Sequence, residues 1–201
     1  HADAIIAAWY PGQSGGTAIA QALAGDINPG GRLPVTFSRS TKDLPPYVSN
    51  DMKGRTYRYF KGEPLFPFGY GLSYTQFAYD APQLSTATLQ AGQPLQVSPT
   101  VRNTGARAGD EVVQVYLQYP QRAQSPLRSL VGFQRVHLQP GEARTLRFAL
   151  DPRQLSDVDR SGQRAVEAGD YRLFVGGGQP GTGAPGEDAA FSISGRMALP
   201  K

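Results

Sequence analysis

The sequence predicts a mainly β protein: a β-sandwich of immunoglobulin-like size at 81–201, preceded by a strand–helix–strand segment at 1–40 and an aromatic-rich linker at 41–80. Three observations carry this. From about residue 82, apolar side chains recur at every second position, the period that turns one face of a strand toward a core. Turn-forming groups built on glycine, proline and asparagine separate those runs at short intervals. Before residue 40, one run instead has helical spacing and is bounded by glycines.

Asp3 to Ala8 is short and apolar and runs into Trp9-Tyr10-Pro11-Gly12, the pattern of a buried strand stopped by a turn. Gly15-Gly16 opens a helix over Thr17–Ala24, with Ile19, Ala20, Leu23 and Ala24 at helical spacing. Thr17 is its expected N-cap and Gly25 its stop, since glycine enters the left-handed region without strain. After Asn28-Pro29-Gly30-Gly31 comes a second expected strand, Leu33–Phe37. One strand–helix–strand unit cannot make a sheet alone. Residues 1–37 are therefore expected to expose Ile5, Ile6 and Ile19 and to self-associate or be poorly ordered. The segment 38–80 lacks periodicity but is rich in tyrosine and phenylalanine, and prolines at 45, 46, 64 and 67 keep it extended.

In the last part, Leu95, Val97 and Val101 share one face of a strand that ends at Asn103-Thr104-Gly105. Val113, Val115, Leu117 and Tyr119 form one face of the next run, and Gln114, Tyr116 and Gln118 form its polar side. Leu146, Phe148 and Leu150, then Tyr171, Leu173 and Val175, then Phe191 and Ile193 complete the alternation. Short strands with one apolar face across about 115 residues make a sandwich.

Hydrophobic residues make up 39% and charged residues 18%, the balance of a globular chain, and no apolar run approaches the roughly 20 residues of a membrane span. The opening residues have neither a basic stretch nor a small-residue cleavage site, so no signal peptide is read there. With no cysteine, disulfides and thiolate metal sites are excluded. The net charge is +4, but the arginines are scattered from Arg32 to Arg196 among acids and apolar residues. That pattern describes a solvated surface and argues against a nucleic-acid partner. His1 and His137 are too few and too far apart for a metal site or a triad, and no cofactor is expected.

The loop sequences carry a resemblance. Ala8-Trp9-Tyr10-Pro11-Gly12-Gln13, Gly15-Gly16-Thr17-Ala18 and the run Gly25 to Phe37 are similar to the end of the second, α/β-sandwich domain of family 3 glycoside hydrolases. Gly54 to Phe60 and Pro67 to Thr75 resemble the segment that joins that domain to the third. Val101 to Gly105, Gly109 to Leu117, Leu130 to Phe133 and Leu138 to Glu142 resemble the family's fibronectin type III-like domain. The pieces occur in the family's order over nearly the whole chain. Ser14 stands where the family often has glutamate, which weakens any inference of a charged contact there.

The resemblance implies retaining, exo-acting hydrolysis of terminal β-linked sugars, with β-glucosidases and β-xylosidases as the nearest branches. Such chemistry needs a nucleophilic carboxylate and a carboxyl acid/base. The resemblance places the first in an N-terminal barrel and the second upstream of the Ala8-Trp9-Tyr10-Pro11 motif. Neither position lies in this chain, so it is expected to be inactive alone, with a structural or accessory role and no catalytic residue of its own. Its implied partners are the barrel and α/β domains of the same enzyme, in cis or as a separate polypeptide, and through them a β-linked oligosaccharide. The implied address is periplasmic or secreted.

Four residues are candidates for contact with substrate. Trp9 and Tyr10 sit where a strand meets a turn, and their rings suit either a sugar face or a domain interface. Arg55 and Arg58 either line a cleft or form interdomain ion pairs. A rival reading is a self-standing carbohydrate-binding or protein-interaction sandwich, with Tyr116, Phe174 and Trp9 as a stacking platform.

Overall fold

The structure is a computed structural model describing residues 3–120, 125–159 and 161–200. His1 lies outside the described residues. Two helices, α1 (Gly15–Ala24) and α2 (Thr56–Tyr59), and a short 3-10 turn (Thr41–Asp43) precede the β region. Among the described residues twelve strands follow: β1 (Phe77–Leu84), β2 (Thr88–Gln90), β3 (Leu95–Asn103), β4 (Gly109–Gln118), β5 (Ser129–Leu138) and β6 (Ala143–Thr145). Then come β7 (Phe148–Leu150), β8 (Asp157–Val158), β9 (Arg164–Val166), β10 (Gly169–Gly176), β11 (Gly186–Ser194) and β12 (Met197–Leu199).

Two sheets face each other. One has the order β1-β3-β6, with β7 also paired to β3; the other has the order β2-β11-β10-β4-β5. A small sheet of β12, β9 and β8 closes one end. The period-two residues do what their spacing requires. Leu95, Val97 and Val101 from one sheet meet Val113, Val115, Leu117, Leu173 and Val175 from the other, all at 0–1% exposure. Each such side chain contributes about 1.5–3 kcal/mol through burial. Leu173 sits on the central strand β10, so Leu173→Ala is expected to cost about 2–5 kcal/mol in urea unfolding, transfer and cavity terms together.

The earlier part departs from expectation at both strands. Residues 4–9 join no ladder, and residues 33–37 contribute a single bridge, Phe37 to Phe66. A strand is held by its neighbours: 4–9 has none among the described residues, and 33–37 has only the Phe37–Phe66 bridge and a few backbone bonds to 65–70. The helix forms as read, but it starts at Gly15 with Ser14 at the N-cap and no side-chain cap, so Thr17 lies within its first turn. Gly25 ends it at φ +80°, with the Gly25 and Asp26 amides donating back to Ala22 and Gln21. The sandwich itself begins at Phe77, so β1 straddles the boundary expected at 80.

The aromatic segment is a cover. Strand β4 is buried on both faces, although its alternation predicts one polar face: Gln114 is 2% and Tyr116 0% exposed. Tyr57 of α2 meets the Tyr116 ring edge-on at 6.1 Å and stacks on Phe68 at 4.2 Å. This also removes the stacking platform expected of Tyr116 and Phe174, since Phe174 is only 8% exposed.

Candidate functional site

The first 75 residues are clamped to the sandwich through a buried polar network. Arg32 donates to Glu111 Oε2 at 2.7 Å and to the Gly177 carbonyl at 3.2 Å. Tyr79 donates its hydroxyl proton to Glu111 Oε1 at 2.8 Å. Alongside, Gln114 Nε2 donates to the carbonyls of Gly69 and Gly177, both at 3.1 Å, and Tyr116 donates to Gln114 Oε1 at 2.6 Å. The linker approaches so closely that a side chain on Gly69 (φ +78°) would strike Gln114 Oε1 at 2.2 Å, and one on Gly177 would strike Glu111 Oε1 at 2.4 Å. Both positions therefore need glycine.

Glu111 is 1% exposed, and burial pushes its carboxyl above the ordinary range against the pull of Arg32. Elsewhere a raised carboxyl suggests a general acid. Here both oxygens are already bonded inside the protein, so the group is a clamp. Arg32 and Glu111 were not among the residues singled out from sequence. A signal was present: Glu111 falls on the same face as Val113 and Val115, where a charge calls for a buried partner.

A second knot lies nearby. Asn28 donates to the Ala108 carbonyl at 3.1 Å and accepts from the Ser73 hydroxyl and the Tyr74 amide. Tyr74 donates to the Ala22 carbonyl at 2.7 Å, and Arg107 donates to the Gly25 carbonyl, anchoring the end of α1 on the sandwich. Asp110 binds Arg135 and His137 on the edge strand β5. Partial burial works to raise the Asp110 carboxyl, but the hydrogen bonds from His137 and Arg135 together hold it below the ordinary range.

The four residues singled out from sequence have different surroundings. Trp9 is 58% and Tyr10 fully exposed, with Trp9 at φ +52°, a conformation uncommon for a bulky residue. Arg55 is spent on its own loop, donating to the carbonyls of Asp51, Pro46 and Ser49. Arg58 lies 5.7 Å from the Tyr59 ring centre, and its carbonyl accepts from the Leu127 amide. Among the described residues no hydrogen bond or ring contact joins the Trp9–Tyr10 pair to Arg55 or Arg58. No group of three or more His, Asp or Glu residues there has metal-binding geometry, and no helix is long and apolar enough to cross a membrane.

Comparison with known proteins identifies two domains. Residues 1–74 match the glycosyl hydrolase family 3 C-terminal domain, and residues 111–179 match the fibronectin type III-like domain. A xylan 1,4-beta-xylosidase of Xylanibacter ruminicola is 44% identical over 176 residues, 87% of this chain and 20% of that protein. A periplasmic beta-glucosidase of Salmonella typhimurium is 40% identical over 188 residues, 87% of this chain and 25% of that protein. Beta-glucosidase 3B of Thermotoga neapolitana, solved with α-D-glucose, superposes with a TM-score of 0.84 at 32% identity, covering 95% of this chain and 28% of that one. The chain thus spans a fifth to a quarter of the length of these curated relatives. With both domains matched in order and relatives aligned along most of its length, this chain belongs to the family 3 glycoside hydrolases, as a C-terminal part.

Proposed function

We propose that this chain is the C-terminal fragment of a retaining, exo-acting β-glucosidase or β-xylosidase, inactive alone and serving to buttress the catalytic domains. The alignment with a xylosidase and a glucosidase over 87% of the chain carries the reading. The state of the carboxylates supports the inactivity. Retaining hydrolysis needs two carboxyl groups about 5–5.5 Å apart across an open cleft. Here Glu111 is sealed in the clamp, and Asp110, Glu142, Glu167 and Glu63 are held in ion pairs.

The division of labour follows the chain: 1–40 belongs to the α/β domain, 41–80 links, and 81–201 is the sandwich, with β1 reaching back into the linker. Ile5 and Ile6 are exposed as expected, at 71% and 45%, whereas Ile19 is half-buried and Leu23 is exposed instead, at 70%; the exposed ones are surface that the remainder of the enzyme, or failing it a second copy, would cover. In this reading Trp9, Tyr10, Arg55 and Arg58 belong to the cleft rim or the domain junction of the whole enzyme. The address is periplasmic or extracellular, a reading supported by the Salmonella relative's name. Full exposure of Tyr10 and Tyr47 favours one alternative, a self-standing sugar-binding module.

The test is hydrolysis of nitrophenyl β-glucoside and β-xyloside by the purified chain. No turnover is expected. Turnover surviving repurification would place a catalytic pair within these 201 residues and overturn the reading.

A further inference from the structure

Where α2 lies against β5, β8 and β9, the described surface holds a polar pocket of about 320 Å³. Arg58, Arg153 and Arg164 line it, against Asp157 as its one lining acid, together with Tyr57 and Tyr59. Its walls are pinned by the fold. The Leu130 amide donates to the Tyr57 hydroxyl at 3.0 Å, and Gln154 Nε2 donates to the Val131 carbonyl at 2.6 Å. Ser156 donates to the Arg153 carbonyl at 2.6 Å and accepts from Arg164 at 3.0 Å.

The pocket lining is net positive, three arginines against Asp157. Among the described residues, none of the three arginines forms an ion pair. The Nε of Arg58 is buried without an acceptor, and so is that of Arg128, two residues before Leu130. Burial pulls the Arg128 guanidinium below its ordinary range, with no carboxylate to offset it. A buried guanidinium keeps its charge and needs an acceptor, and its forked N–H groups match a carboxylate.

We propose that this pocket binds a monosaccharide bearing a carboxylate, a uronic acid, with the arginines on the carboxylate and the tyrosine rings along the sugar. Three arginines against a single lining acid favour an anion. The volume stands at the lower end of small-ligand pockets, about 300–1,000 Å³, and exceeds what an inorganic ion fills. Tyrosine supplies an apolar face with a polar tip, which suits a ring carrying hydroxyls. The choice of a sugar rests on the glycosidase reading; the preference for an anion rests on the pocket alone.

The experiment is calorimetric titration of the 201-residue chain with glucuronate, glucose and inorganic phosphate at low ionic strength. Saturable glucuronate binding is expected, at least about tenfold tighter than glucose and tighter than phosphate. Arg153→Gln should weaken it about tenfold, the loss of one charge-assisted hydrogen bond. Outside the pocket Arg153's side chain makes only a 3.4 Å contact with the Pro200 carbonyl, so the variant should melt like the parent. If it does not, Arg164→Gln replaces it. Glucuronate binding no tighter than glucose overturns the proposal. Phosphate binding as tight as glucuronate overturns the sugar assignment, and an unchanged affinity in a folded arginine variant overturns the site. Failure of the glycosidase reading would appear separately, in turnover, which this titration does not measure.

Discussion

Arg32→Leu is expected to lower the unfolding free energy by about 3–5 kcal/mol at neutral pH, because it leaves the Glu111 carboxylate buried without its cation. The pair is deep: the two side chains are 9% and 2% exposed, and the Tyr79 hydroxyl remains as one donor to the carboxylate. The sign with pH follows. Burial already raises the Glu111 carboxyl in the native state, and loss of Arg32 raises it further. A native group that binds its proton more tightly than the unfolded chain contributes stability below the unfolded pKa and loses it as pH rises from there through the folded pKa. The deficit of the variant should therefore shrink on acidification toward the carboxylate range, where Glu111 protonates. Combining Arg32→Leu with Glu111→Leu should recover most of the loss, since an apolar pair of similar volume replaces a buried ion pair at little cost. Urea midpoints of the two single variants and the double variant, at neutral and acidic pH, decide it. A single variant within about 1 kcal/mol of the parent would mean that Glu111 is not held as a buried charge.

Asn103→Asp is expected to cost at least about 3 kcal/mol, although it replaces one amide nitrogen by oxygen. Asn103 is 0% exposed and uses both ends of its amide. Its Nδ2 donates to the carbonyls of Arg107 at 2.7 Å and Leu138 at 3.0 Å. Its Oδ1 accepts from the Thr75 hydroxyl at 2.7 Å and the Gly105 amide at 3.0 Å. In the variant the first pair becomes oxygen facing oxygen, and a charge enters the core. The damage should reach the linker, because Thr75 and the adjoining Gln76–Thr104 bonds are tied there. Part of the loss should return below the carboxylate range, where the new carboxyl regains a donor. Hydrogen exchange at Gly105 and a shifted denaturant midpoint would report it. Unchanged protection at Gly105 would show that the network does not hold this corner.

Arg32 and Asn103 also mark where sequence reading stops. Asn103-Thr104-Gly105 is legible as a turn, and it does end β3. Nothing in it says that the asparagine amide closes four bonds to three separate stretches of chain. Glu111 on an apolar face announces an unmet need for a partner, but Arg32, 79 positions away, is one of many arginines. The strands expected at 3–8 and 33–37 fail for a related reason. Their apolar character is local, whereas a ladder requires a neighbour. The pocket shares that distance dependence, since its arginines come from residues 58, 153 and 164.

By itself the sequence determined the sandwich, the strand faces at 95–101 and 171–175, the core side of 113–119, the helix ending at Gly25, and the family, through loop motifs in order. Those features depend on alternation, turn chemistry and backbone freedom, all set by residues a few positions apart. Only the tertiary structure decided that the aromatic linker covers β4 and that Glu111 is a sealed clamp rather than an acid. Burial, pairing and carboxyl ionisation depend on which distant side chains arrive beside a group, and local spacing does not encode that.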